Sequence, residues 1–119
     1  MARGGWHSLR DGATLTVSRA CPVRFDLAVE TRFDDPGLRR GRIAHQIRQD
    51  MWRCLQNTRG FRPAVRVTRT PTGLDVVAGG ALDGRVTARM RADLAALLAD
   101  PVLRRRWIVQ ARPSRGRAP

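Results

Sequence analysis

The stretch DDPGLRRGRIAHQIRQDMWRCLQNTRGF, residues 34–61, decides the fold, because at about 100° per residue it resolves into one amphipathic helix between two strand patterns. Ile43, Ala44, Ile47, Met51, Cys54 and Leu55 fall in a single apolar arc. Arg42, His45, Gln46, Gln49, Arg53 and Gln56 fall in the opposite one, with Asp50 at its margin as the only acid in the helix body. Asp35 before Pro36 predicts the entry: the carboxylate can accept from first-turn amides, and a proline at the first helical position gives up no needed donor. Gly41 weakens the first turn. Gly60 predicts the exit near Thr58, with Arg59 beside the negative end of the dipole and Phe61 packing back on the last turn.

The flanking segments read as strands. Ala13, Leu15 and Val17 alternate with Thr14, Thr16 and Ser18, and Arg19 to Pro22 breaks that pattern. Val23, Phe25, Leu27, Val29, Thr31 and Phe33 then share one face of a second strand, and Arg24, Asp26, Ala28, Glu30 and Arg32 the other. One apolar and one polar face is antiparallel behaviour, not that of a sheet covered on both sides. Residues 61–69 form a third strand, and Thr70, Pro71, Thr72 and Gly73 a turn into a fourth that carries Leu74, Val76 and Ala78 and ends at Gly79 and Gly80. Residues 85–99 return to helical spacing through Val86, Met90, Leu94, Leu97 and Leu98. Asp100 with Pro101 repeats the cap-plus-proline entry and predicts a further helix through residue 111.

The expected architecture is therefore α+β: a two-layer sandwich in the order ββαββαα, with about four antiparallel strands and the helices packed on one face. The alternative makes residues 107–111 a final strand, completing a ferredoxin-like βαββαβ order after an extra N-terminal strand. Residues 1–12 are expected to be loosely ordered, with Trp6 folding back as a lid. Residues 13–111 make one domain, and residues 112–119 a disordered basic tail.

The net charge of +13 is uneven. Residues 1–37 hold five Arg against five acids, whereas the rest holds 18 Arg against five acids. All 23 basic residues are Arg. A GC-rich coding sequence explains Arg in place of Lys, but not the shortage of acids after residue 37. Charge so placed suits a polyanion, which gains from counterion release and steering. An aromatic content of 5% argues against large stacking platforms. Two cysteines make no disulfide framework and the N-terminus shows no apolar leader, so the cytoplasm is the expected compartment; no window is apolar enough for a membrane span.

No catalytic constellation is visible. His7, Cys21, His45 and Cys54 show no metal-ligand spacing, with His45 and Cys54 about 180° apart on the helix; Cys54 is read as a small core residue and His45 as a solvated one. Ser8, Ser18 and Ser114 lie in no nucleophile motif, Cys21 lacks a base, and capping accounts for Asp34 and Asp35. Neither Gly4 with Gly5 nor Gly79 with Gly80 sits in a phosphate-loop context. No cofactor is implied, and no enzyme.

What remains is the helix stripe of Arg42, Gln46, Gln49 and Arg53, residue types that hold phosphate or base edges. Arg39, Arg40, Arg59 and Arg62 add charge at the helix ends. Arg104, Arg105 and Arg106, with Arg112, Arg115 and Arg117, make a second cluster. The sequence thus points to a non-catalytic nucleic-acid-binding protein, DNA slightly favoured over RNA; Arg42, Arg53, Arg62 and Arg104 on one continuous surface would support it, and their scatter would favour codon bias as the source of the charge. The alternative is a protein-interaction module, an adaptor or inhibitor, whose Arg surface meets an acidic protein and whose edge strand at residues 13–18 is open to pairing.

Overall fold

The computed structural model of the chain describes residues 6–113. In chain order it contains β1 (His7–Asp11), β2 (Thr14–Ser18), β3 (Leu27–Phe33), α1 (Arg40–Leu55), β4 (Arg62–Thr70), β5 (Gly73–Ala81), α2 (Ala88–Ala99) and α3 (Pro101–Ala111). The five strands form one sheet in the order β1-β2-β4-β5-β3, antiparallel throughout. Helix α1 lies across β2 and β4, α2 across β3, and α3 packs beside α1. The fold is the two-layer α+β sandwich that the periodicities predict, with one more strand.

That strand is β1, in the segment expected to be loose. Asp11 pairs with Thr14 across Gly12 and Ala13, and Gly12 takes φ 59, the conformation a glycine-led two-residue hairpin turn demands. β2 is consequently interior, paired on both sides, so it is not the exposed edge expected of residues 13–18. The edges are β1 and β3.

Register assigns each strand residue to a face. Leu15, Val17, Val65, Val67, Leu74, Val76, Ala78, Leu27 and Phe33 point toward the helices and are all buried. By the same alternation Trp6, Ser8 and Arg10 stand on the helix side at the β1 edge, and Arg69 on that side at the end of β4. The second expected strand is shorter than its alternation: it begins at Leu27, and Phe25 instead lies under Arg66, 5.0 Å from its guanidinium carbon. Asp26 ends the irregular segment by accepting from the Leu82 amide at 3.0 Å. That bond and then Arg24 hold its carboxyl below its usual range.

Two glycines expected to terminate β5 instead lie inside it. Gly79 (φ 156) and Gly80 (φ 140) are needed because a Cβ would stand 1.9 Å from the Leu27 carbonyl oxygen at one and 2.2 Å from that of Arg62 at the other. Neighbouring backbones leave no room for a side chain there.

Helix α1 starts later than Asp35 and Pro36 suggest. Asp35 Oδ1 accepts from the Gly37 amide at 2.9 Å in a local turn, and Leu38 is fully buried before the helix begins. Arg69 anchors this turn, donating to the carbonyls of Pro36 at 2.8 Å and Leu38 at 2.6 Å. The helix also ends earlier, at Leu55, and the chain turns through Gly60 at φ 65. α2 begins at Ala88 and not at residue 85, because Thr87 caps it by accepting from Met90. At α3 the cap is as expected: Asp100 Oδ1 accepts from Val102 and Leu103, with Pro101 in the first turn. The strand alternative for residues 107–111 is thereby excluded.

Gly41 sits in the first turn of α1 with room for a methyl group, since a Cβ there would meet only Leu15 Cδ2 at 3.7 Å. Gly41→Ala should therefore stabilise the domain by up to about 1 kcal/mol through helix propensity. The check is a higher urea midpoint at unchanged m-value; a lower midpoint refutes it.

Candidate functional site

The exposed flank of α1 facing β1 carries two concavities, one at each end. At the C-terminal end, Trp6, Arg19, Arg48, Gln49, Trp52, Arg53, Phe61, Arg62 and Pro63 enclose a groove of about 430 Å³. Trp52 is 45% exposed and lies parallel over Phe61, ring centroids 6.4 Å apart and planes within 7°. Trp6 stacks against Arg48, whose guanidinium carbon is 4.3 Å from the ring centre, and Arg19, at 5.4 Å. Trp6 does fold back, but against a wall of arginines. Among the lining residues there is no carboxylate. Asp50 and Asp83 reach the rim only through ion pairs with Arg53 at 3.6 Å and Arg62 at 3.4 Å.

The local sequence explains this placement. On a helix, Arg48, Gln49, Trp52 and Arg53 share one flank by their spacing, and Phe61 follows where the chain turns back into β4. The polar, aromatic and cationic groups are thus interleaved along one ridge.

At the N-terminal end, Arg10, Arg39, Arg40, Gly41, Arg42 and Arg69 line a second concavity of about 340 Å³. Between the two ends His45 Nδ1 accepts from Arg48 Nε at 3.2 Å. Burial, then the charges of Arg48 and Arg42, hold the His45 imidazole below its usual value, which favours its neutral form.

Of the residues expected from the sequence, Gln49, Arg53 and Arg62 line the aromatic groove, and Arg39, Arg40 and Arg42 the second concavity. Gln46 does not belong with them. It turns to α3 and donates to the Trp107 carbonyl at 3.1 Å. Arg104 is likewise consumed by the core: it donates to the Leu98 carbonyl at 2.9 Å, to Thr31 Oγ1 at 2.8 Å and to the Arg32 carbonyl, with Phe33 beneath it. Arg106 pairs with Asp50. Arg105 is exposed on the far side of α3, and Arg59 in the loop after α1. Arg42, Arg53 and Arg62 share the α1 flank, and Arg104 does not. Arg115 and Arg117 of the expected tail lie outside the described residues.

Trp6, Arg10, Arg19, Arg48, Trp52, Phe61 and Arg69 were not legible as site residues, and the low aromatic content gives no sign that Trp6, Trp52 and Phe61 meet in one groove. Nor is Cys54 a core residue. It is exposed at the end of α1, and partial burial, then Asp93, push its thiol up, away from the reactive thiolate. No helix of the described residues is long and apolar enough to cross a membrane. No protein-family model, curated protein or solved structure matches the chain.

Proposed function

We propose that the chain is a non-catalytic, cytoplasmic nucleic-acid-binding protein that takes single-stranded segments along the α1 flank. The observation that carries this reading is the groove in which Trp52, Phe61 and Trp6 alternate with Arg19, Arg48, Arg53 and Arg62. Exposed aromatic faces bind unstacked bases of any sequence, and arginines around them hold the backbone. A duplex keeps its bases stacked and offers Trp52 nothing to pair with, so the groove supports single strands over the duplex DNA that charge alone favours.

The test is a titration of single-stranded DNA, RNA and duplex DNA at several salt concentrations, read by tryptophan fluorescence and by anisotropy of the labelled strand. Single strands should bind more tightly than duplex and quench tryptophan, with affinity falling linearly on a log–log salt plot. Absence of binding by all three at low salt refutes the reading.

A further inference from the structure

We infer that the concavity formed by Arg10, Arg39, Arg40, Arg42 and Arg69 is a phosphate-monoester site, which holds the terminal phosphate of a strand lying in the aromatic groove. This rests on the preceding reading for the strand and on the arginines themselves for the phosphate. Five arginines line this concavity of about 340 Å³, and one of them, Arg39, also donates to the Arg112 carbonyl at 3.4 Å. Among the described residues none of the five meets a carboxylate within 4.0 Å, whereas Arg24, Arg32, Arg53, Arg62, Arg89 and Arg106 all do. No ion pair among the described residues offsets the charge of these five.

Arg40 and Arg69 are nevertheless held in place. Arg40 donates to the Gly12 carbonyl at 3.1 Å, and Arg69 to the Pro36 and Leu38 carbonyls. Neutral carbonyls fix these two side chains without cancelling their charge, and each keeps further N–H donors free. Burial, then Arg69 and Arg10, depress the Arg40 guanidinium, which reports how closely the cations are crowded. Such crowding is unfavourable until an anion enters, and side chains already positioned lose little entropy when it does.

The charge of the guest follows from the number of cations. An internal phosphodiester carries one negative charge, a terminal monoester about 1.5 to 2 at neutral pH. A five-arginine cup discriminates most strongly for the latter, through charge-assisted and forked hydrogen bonds. Geometry links the two sites: Arg42 and Trp52 are ten residues apart on one helix, about 15 Å at 1.5 Å per residue, a span that about eight nucleotides exceed even at the stacked spacing of about 3.4 Å each. One short strand reaches from cup to indole.

The experiment uses the full chain and an oligonucleotide of one sequence, about eight nucleotides long, carrying a 5′-phosphate, a 3′-phosphate or hydroxyls at both ends. One phosphorylated form should bind about tenfold or more tighter than the unphosphorylated one. The end that gains shows the polarity of the strand. Arg10→Gln and Arg42→Gln, both exposed and free of the carbonyl bonds that hold Arg40 and Arg69, should abolish that gain, weakening the phosphorylated strand about tenfold or more and the unphosphorylated one far less, because a terminal monoester brings more charge to the cup than a diester. Equal affinity for all three forms overturns the proposal. Equal weakening of all three by the variants does so too, since it marks an ordinary backbone contact. A parallel arm with inorganic phosphate separates the two readings: if no strand binds, yet phosphate raises the melting temperature of the wild-type chain and not of the variants, the cup stands and the strand reading fails. If neither strand nor phosphate acts, both fail.

Discussion

Asp50→Ala should cost the domain about 2–4 kcal/mol, among the largest losses available from one polar side chain. Asp50 is 7% exposed, and its carboxylate joins α1 to α3. It accepts from the indole of Trp107 at 2.7 Å and from Arg106, with Arg53 within 3.6 Å. Trp107 is completely buried and meets Phe33 edge-on, ring centroids 6.4 Å apart. Removing the carboxylate strands a buried indole N–H, at a cost of about 1–3 kcal/mol, and opens a void beside the largest core side chain. Arg106 is 47% exposed and returns to water, so the loss stays below that of a charge left buried. Asp50→Asn keeps an acceptor for the indole and should fall between wild type and alanine. Urea denaturation of the three proteins decides: an alanine variant within about 0.5 kcal/mol of wild type would mean the Trp107 bond carries no net stability.

The same residue shows how far helical periodicity reaches. Spacing places Asp50 at the margin of the polar arc, which is correct as an angle about the α1 axis. It cannot say which neighbour lies at that angle. α3 does, and so Asp50, Gln46 and Arg106 become interface groups while Gln49 and Arg53 stay on the open flank. Arg104 follows the same logic, drawn in by backbone carbonyls that no one-dimensional pattern reveals. Where local rules suffice, as at Asp100 with Pro101 or the alternation of β2 and β4, the elements are legible. Where a distant chain intervenes they are not: Arg69 pulls residues 36–38 out of the helix, and the carbonyls of Leu27 and Arg62 make Gly79 and Gly80 strand residues and not stops. β1 was hidden differently, since its only aliphatic residue, Leu9, sets up no alternation. Its one local signal is Gly12, which takes the first position of the two-residue hairpin loop. Without β1 the groove loses its outer wall, and Trp6 and Arg10 lose their place.

Trp52→Ala should weaken single-strand binding by about 5- to 150-fold, corresponding to the 1–3 kcal/mol that stacking of one base contributes. The indole is nearly half exposed, and Phe61 supports its inner face. Because the lost term is stacking and desolvation, the weakening should be the same at every salt concentration. Arg53→Gln provides the contrast. Its side chain is 73% exposed and only loosely paired with Asp50, so its loss should remove one phosphate contact and flatten the log–log salt slope by about 0.7. Trp52→Phe keeps an aromatic face and should recover most of the affinity, which a purely structural role for the indole would also allow. The salt slope separates the two: a structural failure that misplaces Arg48, Arg53 and Arg62 lowers the slope together with the affinity, whereas loss of a stacking face leaves it intact. A Trp52→Ala protein that melts cooperatively and binds within about twofold of wild type removes stacking from the mechanism. The α1 flank would then act on phosphates through its arginines alone, and its preference for single strands over duplex should vanish with it.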